Sequence, residues 1–150
     1  MLNNPVSFGF ANEYRVDISE SIILWQRHEK DYVQSECFLN AYRCLNNNIK
    51  HFAANKCIYG YVLSTDGTRK VAVRHAWNII NGRKVDVTMF ANRENPISVI
   101  NYVYLPVDEY SPQKLLDKIC ENNGYVCLPK SEKELKIQKE LIAKGIEILE

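Results

Sequence analysis

Cys37, His75 and Asp86 are the residues of this 150-residue chain whose types and settings suit nucleophilic chemistry. A thiolate attacks a carbonyl, an imidazole moves the proton, and a carboxylate holds the imidazole in one tautomer and steadies its charged form. Cys37 is the third residue of the segment SECFLNAYRCLNNN, in which Ser35 is a good N-cap and Phe38, Ala41, Cys44 and Leu45 continue an apolar stripe at helical spacing. Cys37 is therefore expected in the first turn of a helix, where unpaired N–H groups and the helix dipole favour a thiolate and can hold an oxyanion. A cysteine on such a stripe is more often plain core, which is the reading given to Cys44. Cys57, Cys120 and Cys127 lack the helix-start setting and are likewise expected as ordinary, mostly buried thiols.

His75 and Asp86 flank Asn81-Gly82. Asn-Gly between two runs rich in Val, Ile and aromatics signals a two-residue hairpin, because both turn residues must take positive φ. That loop sets Ile80 opposite Arg83 and Ile79 opposite Lys84; continued, it sets Trp77 opposite Asp86 and His75 opposite Thr88. His75, Trp77 and Asp86 then share one face, with His75 and Asp86 as diagonal neighbours about 7–8 Å apart along the backbone. A carboxylate there accepts the imidazole Nδ1–H. The bland alternative is a surface His–Asp pair worth little, but Val71, Val73, Trp77 and Ile79 on the same face indicate packing rather than exposure to water.

The order of these pieces resembles the transglutaminase-like core of the papain-like cysteine enzymes. They are SECFLNA (Ser35–Ala41), YGYVL (Tyr59–Leu63), RHAWNI (Arg74–Ile79) and GRKVDVT (Gly82–Thr88), a little over a third of the chain. The resemblance implies a papain-like fold and a Cys37-His75-Asp86 triad acting by acyl transfer through a thioester. It does not choose among peptidase, deamidase, amidase and transglutaminase, which share a triad and differ in their clefts. Such enzymes often carry a glutamine several residues before the nucleophile as an oxyanion donor. Here Gln34 and Tyr32 are the nearest candidates, neither at a matching spacing, and Trp77 could shield the pair from water.

The elements that must position these residues follow from the same patterns. Asp17 or Ser19 caps a helix running to about Lys30. Residues 57–63, 70–80, 83–90 and roughly 99–105 read as strands of an antiparallel β-meander, with a loop containing Pro96 before the last. Ser111-Pro112 opens a helix ending near Gly124, and Ser131 with Glu134 forms a capping box for a last helix to about Leu149. The expectation is one α+β domain over 1–150, papain/transglutaminase-like, with the nucleophile helix packed on the meander and further C-terminal helices.

Bulk properties narrow the alternatives. Nineteen basic and eighteen acidic residues leave a net charge of +1 without a basic run, against a nucleic-acid binder. Apolar runs such as Ile22-Ile23-Leu24-Trp25 are far too short to cross a bilayer, and MLNNPVSFGF does not read as a signal peptide. Five cysteines, an odd number without a CxxC pair, argue against a disulfide scaffold or a common zinc site. The expected protein is a cytoplasmic cysteine hydrolase or acyltransferase that acts on a peptide or small amide without a cofactor. Two other readings stand beside it. One is a non-catalytic binding or regulatory module on the same scaffold; the other is a metal site built from Cys37, His75 and Asp86, or from His51 and Cys57. His28 and His51 otherwise read as surface residues.

Overall fold

The structure, a computed structural model, describes residues 7–48, 54–91 and 101–149. It is an α+β fold built on an open sheet that is antiparallel apart from one short strand. Helix α1 (Ile18–Arg27) starts where Asp17 Oδ1 accepts the Glu20 N–H at 2.9 Å, and a 3-10 turn, Glu29–Asp31, follows it. Helix α2 (Cys37–Asn47) leads into β1 (Lys56–Asp66), β2 (Arg69–Ile80) and β3 (Arg83–Val85). Then come α3 (Thr88–Ala91), β4 (Val103–Tyr110), α4 (Pro112–Glu121), α5 (Glu132–Ala143) and β5 (Glu147–Leu149). Among the described residues no helix is long and apolar enough to cross a membrane.

The Asn81-Gly82 turn forms as its composition dictates, with φ of 52° and 74°, and it sets Ile80 against Arg83 and Ile79 against Lys84. Beyond that, the sheet departs from a meander. Its order is β3-β2-β1-β4, so β4 lies against β1, while β5 runs parallel to β2 with Val71 opposite Glu147 and Val73 opposite Leu149. Strand β3 ends at Val85, and Thr88 begins a helical turn instead of extending the strand to 90. The next strand begins only at Val103, after Asn101 and Tyr102, and runs on to Tyr110, past Pro106, which sits opposite Gly60 beside a register shift. Proline is tolerated at such an irregularity because no regular ladder bond is lost there. The strand thus starts later than the expected 99, since Asn101 and Tyr102 are not in it; residue 99 itself and the Pro96 loop lie outside the described residues.

The last helix stops at Ala143 rather than near Leu149. Gly145, at φ 76°, lets the Ile146 N–H reach back to the Leu141 carbonyl at 2.9 Å, and the chain leaves extended to form β5. Helix α2 likewise begins differently: Glu36, not Ser35, is its N-cap, and Ser35 holds φ at 65° in the turn before it.

The sheet has two unlike faces. One carries Cys57, Tyr59, Ala76 and Ile80, packed with Ala41, Cys44 and Leu45 of α2 and with Leu115 and Ile119 of α4. The same face continues through Tyr61, Leu63, Ala72 and Leu105 onto Leu141 and Ile146. Asn78 on β2 fastens α2 to it by donating from Nδ2 to the Ala41 carbonyl at 2.9 Å. The other face carries a smaller cluster of Val16, Ile58, Val62, Trp77 and Tyr104. Gly60 is required there: a Cβ would lie 2.1 Å from the Leu105 carbonyl oxygen and 2.9 Å from Cη2 of Trp77. Cys44 and Cys57 are buried as expected, whereas Cys120 and Cys127 are exposed, one on the outer side of α4 and the other in the loop after it.

Candidate active site

The site forms where β2 lacks a flanking strand. On the edge away from β1, β2 is paired with β5 at Val71–Val73 and with β3 at Asn78–Ile80. Among the described residues this leaves Arg74–Trp77 without a strand neighbour on that side. His75 projects to the aromatic face with Trp77, while α2 packs on the opposite face. The start of α2 meets His75 at this open stretch.

Asp86 lies just past β3, where the chain turns into α3. Its backbone N–H donates to Ser21 Oγ at 3.0 Å, and Ser21 in turn donates to the Asp17 carbonyl at 2.6 Å, so α1 pins the turn. The Thr88 N–H donates to Asp86 Oδ1 at 3.1 Å, fixing the carboxylate rotamer. The other oxygen, Oδ2, accepts the His75 Nε2–H at 2.7 Å and the Tyr104 hydroxyl at 2.6 Å. The carboxylate thus takes Nε2–H rather than the expected Nδ1–H, because Asp86 sits beyond the end of the ladder rather than diagonally within it. Nδ1 is left free of Asp86, and the Cys37 sulfur lies close enough to the ring to help hold its proton.

Both members of the His75–Asp86 pair are buried, at 6% and 1% exposure. Burial alone would strip His75 of its proton. The Asp86 charge and hydrogen bond, followed by the Cys37 sulfur, outweigh burial and push the imidazolium pKa up to about 10. Trp77 stacks on the imidazole with ring centroids 6.2 Å apart and packs edge-on against Tyr104 at 5.0 Å. The indole N–H donates to Tyr14 Oη at 2.9 Å, and Tyr14 pairs with the Tyr104 backbone in an isolated bridge. Trp77 therefore covers one side of the imidazole, and its one donor is already engaged.

Cys37 is the first residue of α2 and is half-buried. The Asn40 N–H is the first to bond back, to the Glu36 carbonyl at 2.8 Å, so the N–H groups of Cys37, Phe38 and Leu39 stand at the open helix end. Asn40, fully buried, clamps the approach to this end: its Oδ1 accepts the Val33 N–H at 2.8 Å and its Nδ2 donates to the Val33 carbonyl at 2.7 Å. Among the described residues no hydrogen bond ties either oxyanion candidate, Gln34 or Tyr32, to Cys37, His75 or Asp86. Gln34 is exposed in the turn before α2. The Tyr32 hydroxyl accepts from Asn47 Nδ2 at 3.3 Å, beside Cys44 and more than two helical turns beyond Cys37.

Arg74, next to His75, belongs to the opposite face. Its Nε and Nη2 lie 2.8 and 2.9 Å from the buried Glu134 carboxylate, Nη2 also donates to the Leu128 carbonyl at 2.8 Å, and its guanidinium covers the Phe38 ring at 5.2 Å. Phe38 adjoins Cys37, so this ion pair buttresses the helix start from below.

Among the described residues no group of three His, Cys, Asp or Glu side chains converges as metal ligands, and His51 lies outside those residues. Tyr104, Asn40, Ser21 and Tyr14 complete the site without having been singled out from sequence. The available signal was the polar atom each carries within an otherwise apolar stretch. Such atoms require partners when buried. Comparison with protein-family models, curated proteins and solved structures finds no match to this chain.

Proposed function

We propose that this chain is a cysteine-dependent acyl-transfer enzyme of the papain/transglutaminase-like kind, acting on a peptide or small amide. The observation that carries the reading is the convergence of Cys37, from the start of one helix, on a buried His75 whose far nitrogen is held by Asp86 at 2.7 Å. A buried imidazole kept protonated beside a thiol at a helix N-terminus is the arrangement needed for a thiolate–imidazolium nucleophile.

In the reaction so proposed, Cys37 sulfur bonds to the amide carbonyl carbon, and the developing oxyanion faces the N–H groups at the start of α2. The C–N bond then breaks with its electron pair going to nitrogen, which takes the Nδ1 proton of His75. Water or an amine attacks the thioester while His75 accepts its proton, and the Cys37 thiolate leaves. The acceptor decides between hydrolysis and transfer. Arg74 also lines a cavity of about 210 Å³ with Tyr61, Gln138 and Ile148 beside the β2 edge, which offers space for a bound group away from the triad.

Alkylation by iodoacetamide near neutral pH, followed by peptide mapping, tests the proposal. Cys37 should be modified at least ~10-fold faster than the exposed Cys120 and Cys127, and His75→Ala should remove that advantage. Equal, slow modification of all three would sink the enzyme reading in favour of a non-catalytic module.

A further inference from the structure

Asp86 Oδ2 serves two donors at once, the His75 Nε2–H at 2.7 Å and the Tyr104 hydroxyl at 2.6 Å. Tyr104 reaches this atom from β4, across the sheet, where Val62 separates it from Val73 of β2. It is fully buried. Burial and the adjacent Asp86 charge hold the phenol far above its ordinary pKa, so it remains a donor at every working pH. We propose that Tyr104 is a positioning residue that sets how readily His75 gives up its proton, by sharing the carboxylate oxygen on which the imidazolium rests. The inference rests on the acyl-transfer reading and deepens it.

Two donors on one oxygen compete for its charge. While His75 is an imidazolium, the Asp86 charge is already largely compensated and the Tyr104 bond adds little. When the Nδ1 proton passes to the leaving amine, as the C–N bond breaks, His75 becomes neutral and keeps only its Nε2–H on Asp86. The carboxylate then carries uncompensated charge in a buried site. The Tyr104 hydroxyl, together with the Thr88 N–H on Oδ1, takes up that charge. Hydrogen bonds to an ion strengthen as its charge is unmasked. Tyr104 therefore stabilises the state after proton release more than the state before it.

The other titratable groups around the pair do not substitute for it. Cys37 meets the imidazole and not the carboxylate. Cys44 of α2 senses the Asp86 charge, and Tyr14 and Tyr102 lie near Tyr104. Among the described residues, only His75, Tyr104 and the Thr88 backbone bond to the carboxylate oxygens.

The test is an NMR titration of the His75 ring in the full chain, wild type against Tyr104→Phe. Loss of the hydroxyl should move the His75 titration upward by about half a pH unit or more. A purely structural role for Tyr104 would instead loosen Asp86 and move it downward. An unchanged or lowered titration overturns the proposal. If Tyr104→Phe does not fold, fluorotyrosine at position 104 keeps the hydroxyl and makes it a stronger donor. The titration should then move downward, and no movement would again overturn the proposal. Failure of the acyl-transfer reading appears separately, as a Cys37 no faster than Cys120 and Cys127 towards iodoacetamide, while the His75 titration remains readable.

Discussion

Asn40 on α2 donates from Nδ2 to Thr88 Oγ1 at 3.1 Å, joining the turn that presents Cys37 to the turn that presents Asp86. The same side chain closes a two-bond ring on Val33, so one buried amide sets the spacing of two loops that are far apart in sequence. Asn40→Ala should leave the Val33 and Thr88 groups without their partner and destabilise the chain by about 2–3 kcal/mol in urea unfolding. Iodoacetamide modification of Cys37 should slow in the fraction that stays folded. Unaltered stability and rate would dismiss the clamp.

Asp86→Asn keeps the shape of the side chain and removes the charge that holds the His75 proton. The His75 titration should fall from about 10 towards or below the ordinary 6.5, since burial then acts unopposed. Alkylation of Cys37 near neutral pH should drop by about tenfold or more. A variant that alkylates at the wild-type rate would mean that the carboxylate does not brace the pair.

The same proton couples stability to pH. His75 binds it more tightly in the folded chain, with a pKa of about 10, than in the open chain, at 6.5. Its contribution to stability is therefore complete below about pH 6.5 and disappears as pH rises through about 10. The urea midpoint of the wild type, measured against that of Asp86→Asn, should show its widest gap at the acid end of this window and narrow across it. A gap that widened with rising pH would contradict the assignment.

Glu134 is 1% exposed and pairs with Arg74. Glu134→Ala should cost about 3 kcal/mol, because it strands a largely buried guanidinium, while the double change Arg74→Met, Glu134→Leu should recover much of that loss. Denaturant unfolding of the two variants checks the ordering. A single variant as stable as the double would be the contrary result.

Gly60→Ala should destabilise by about 3 kcal/mol, since its Cβ meets the Leu105 carbonyl and the Trp77 ring, and backbone cannot yield as a side chain does. Trp77 should be displaced from His75, visible as a change in tryptophan fluorescence. Wild-type stability and emission would show that β1 and β4 part easily there.

The parts of this fold legible in the sequence are those fixed by short-range chemistry. Asn81-Gly82 dictates its own turn and the two pairs beside it, Asp17, Ser111 and Ser131 cap the helices their patterns indicate, and Cys37 falls in a first turn. What was not legible depends on distant partners. Nothing near Val103 says that β4 will choose β1 over β3, and three residues of β5 carry too little pattern to announce a parallel pairing. Gly145 does signal a helix end, but the apolar residues after it read as more of the same stripe. At the site, the meeting of His75 and Asp86 was expected on a continued ladder and occurs instead beyond the end of β3. Tyr104 and Asn40 resemble core residues until a polar partner is found for each.

The pairing of Val73 with Leu149 bears on how the chain reaches its native form. The hairpin of β1 and β2 closes through nearby residues, but the margin of β2 next to His75 awaits a segment synthesised long afterwards. Such distant closures come late, since the loop entropy is spent before any contact rewards it. The surroundings of Cys37 should therefore be among the last regions to acquire protection from hydrogen exchange during refolding, after the hairpin that bears the imidazole is already in place.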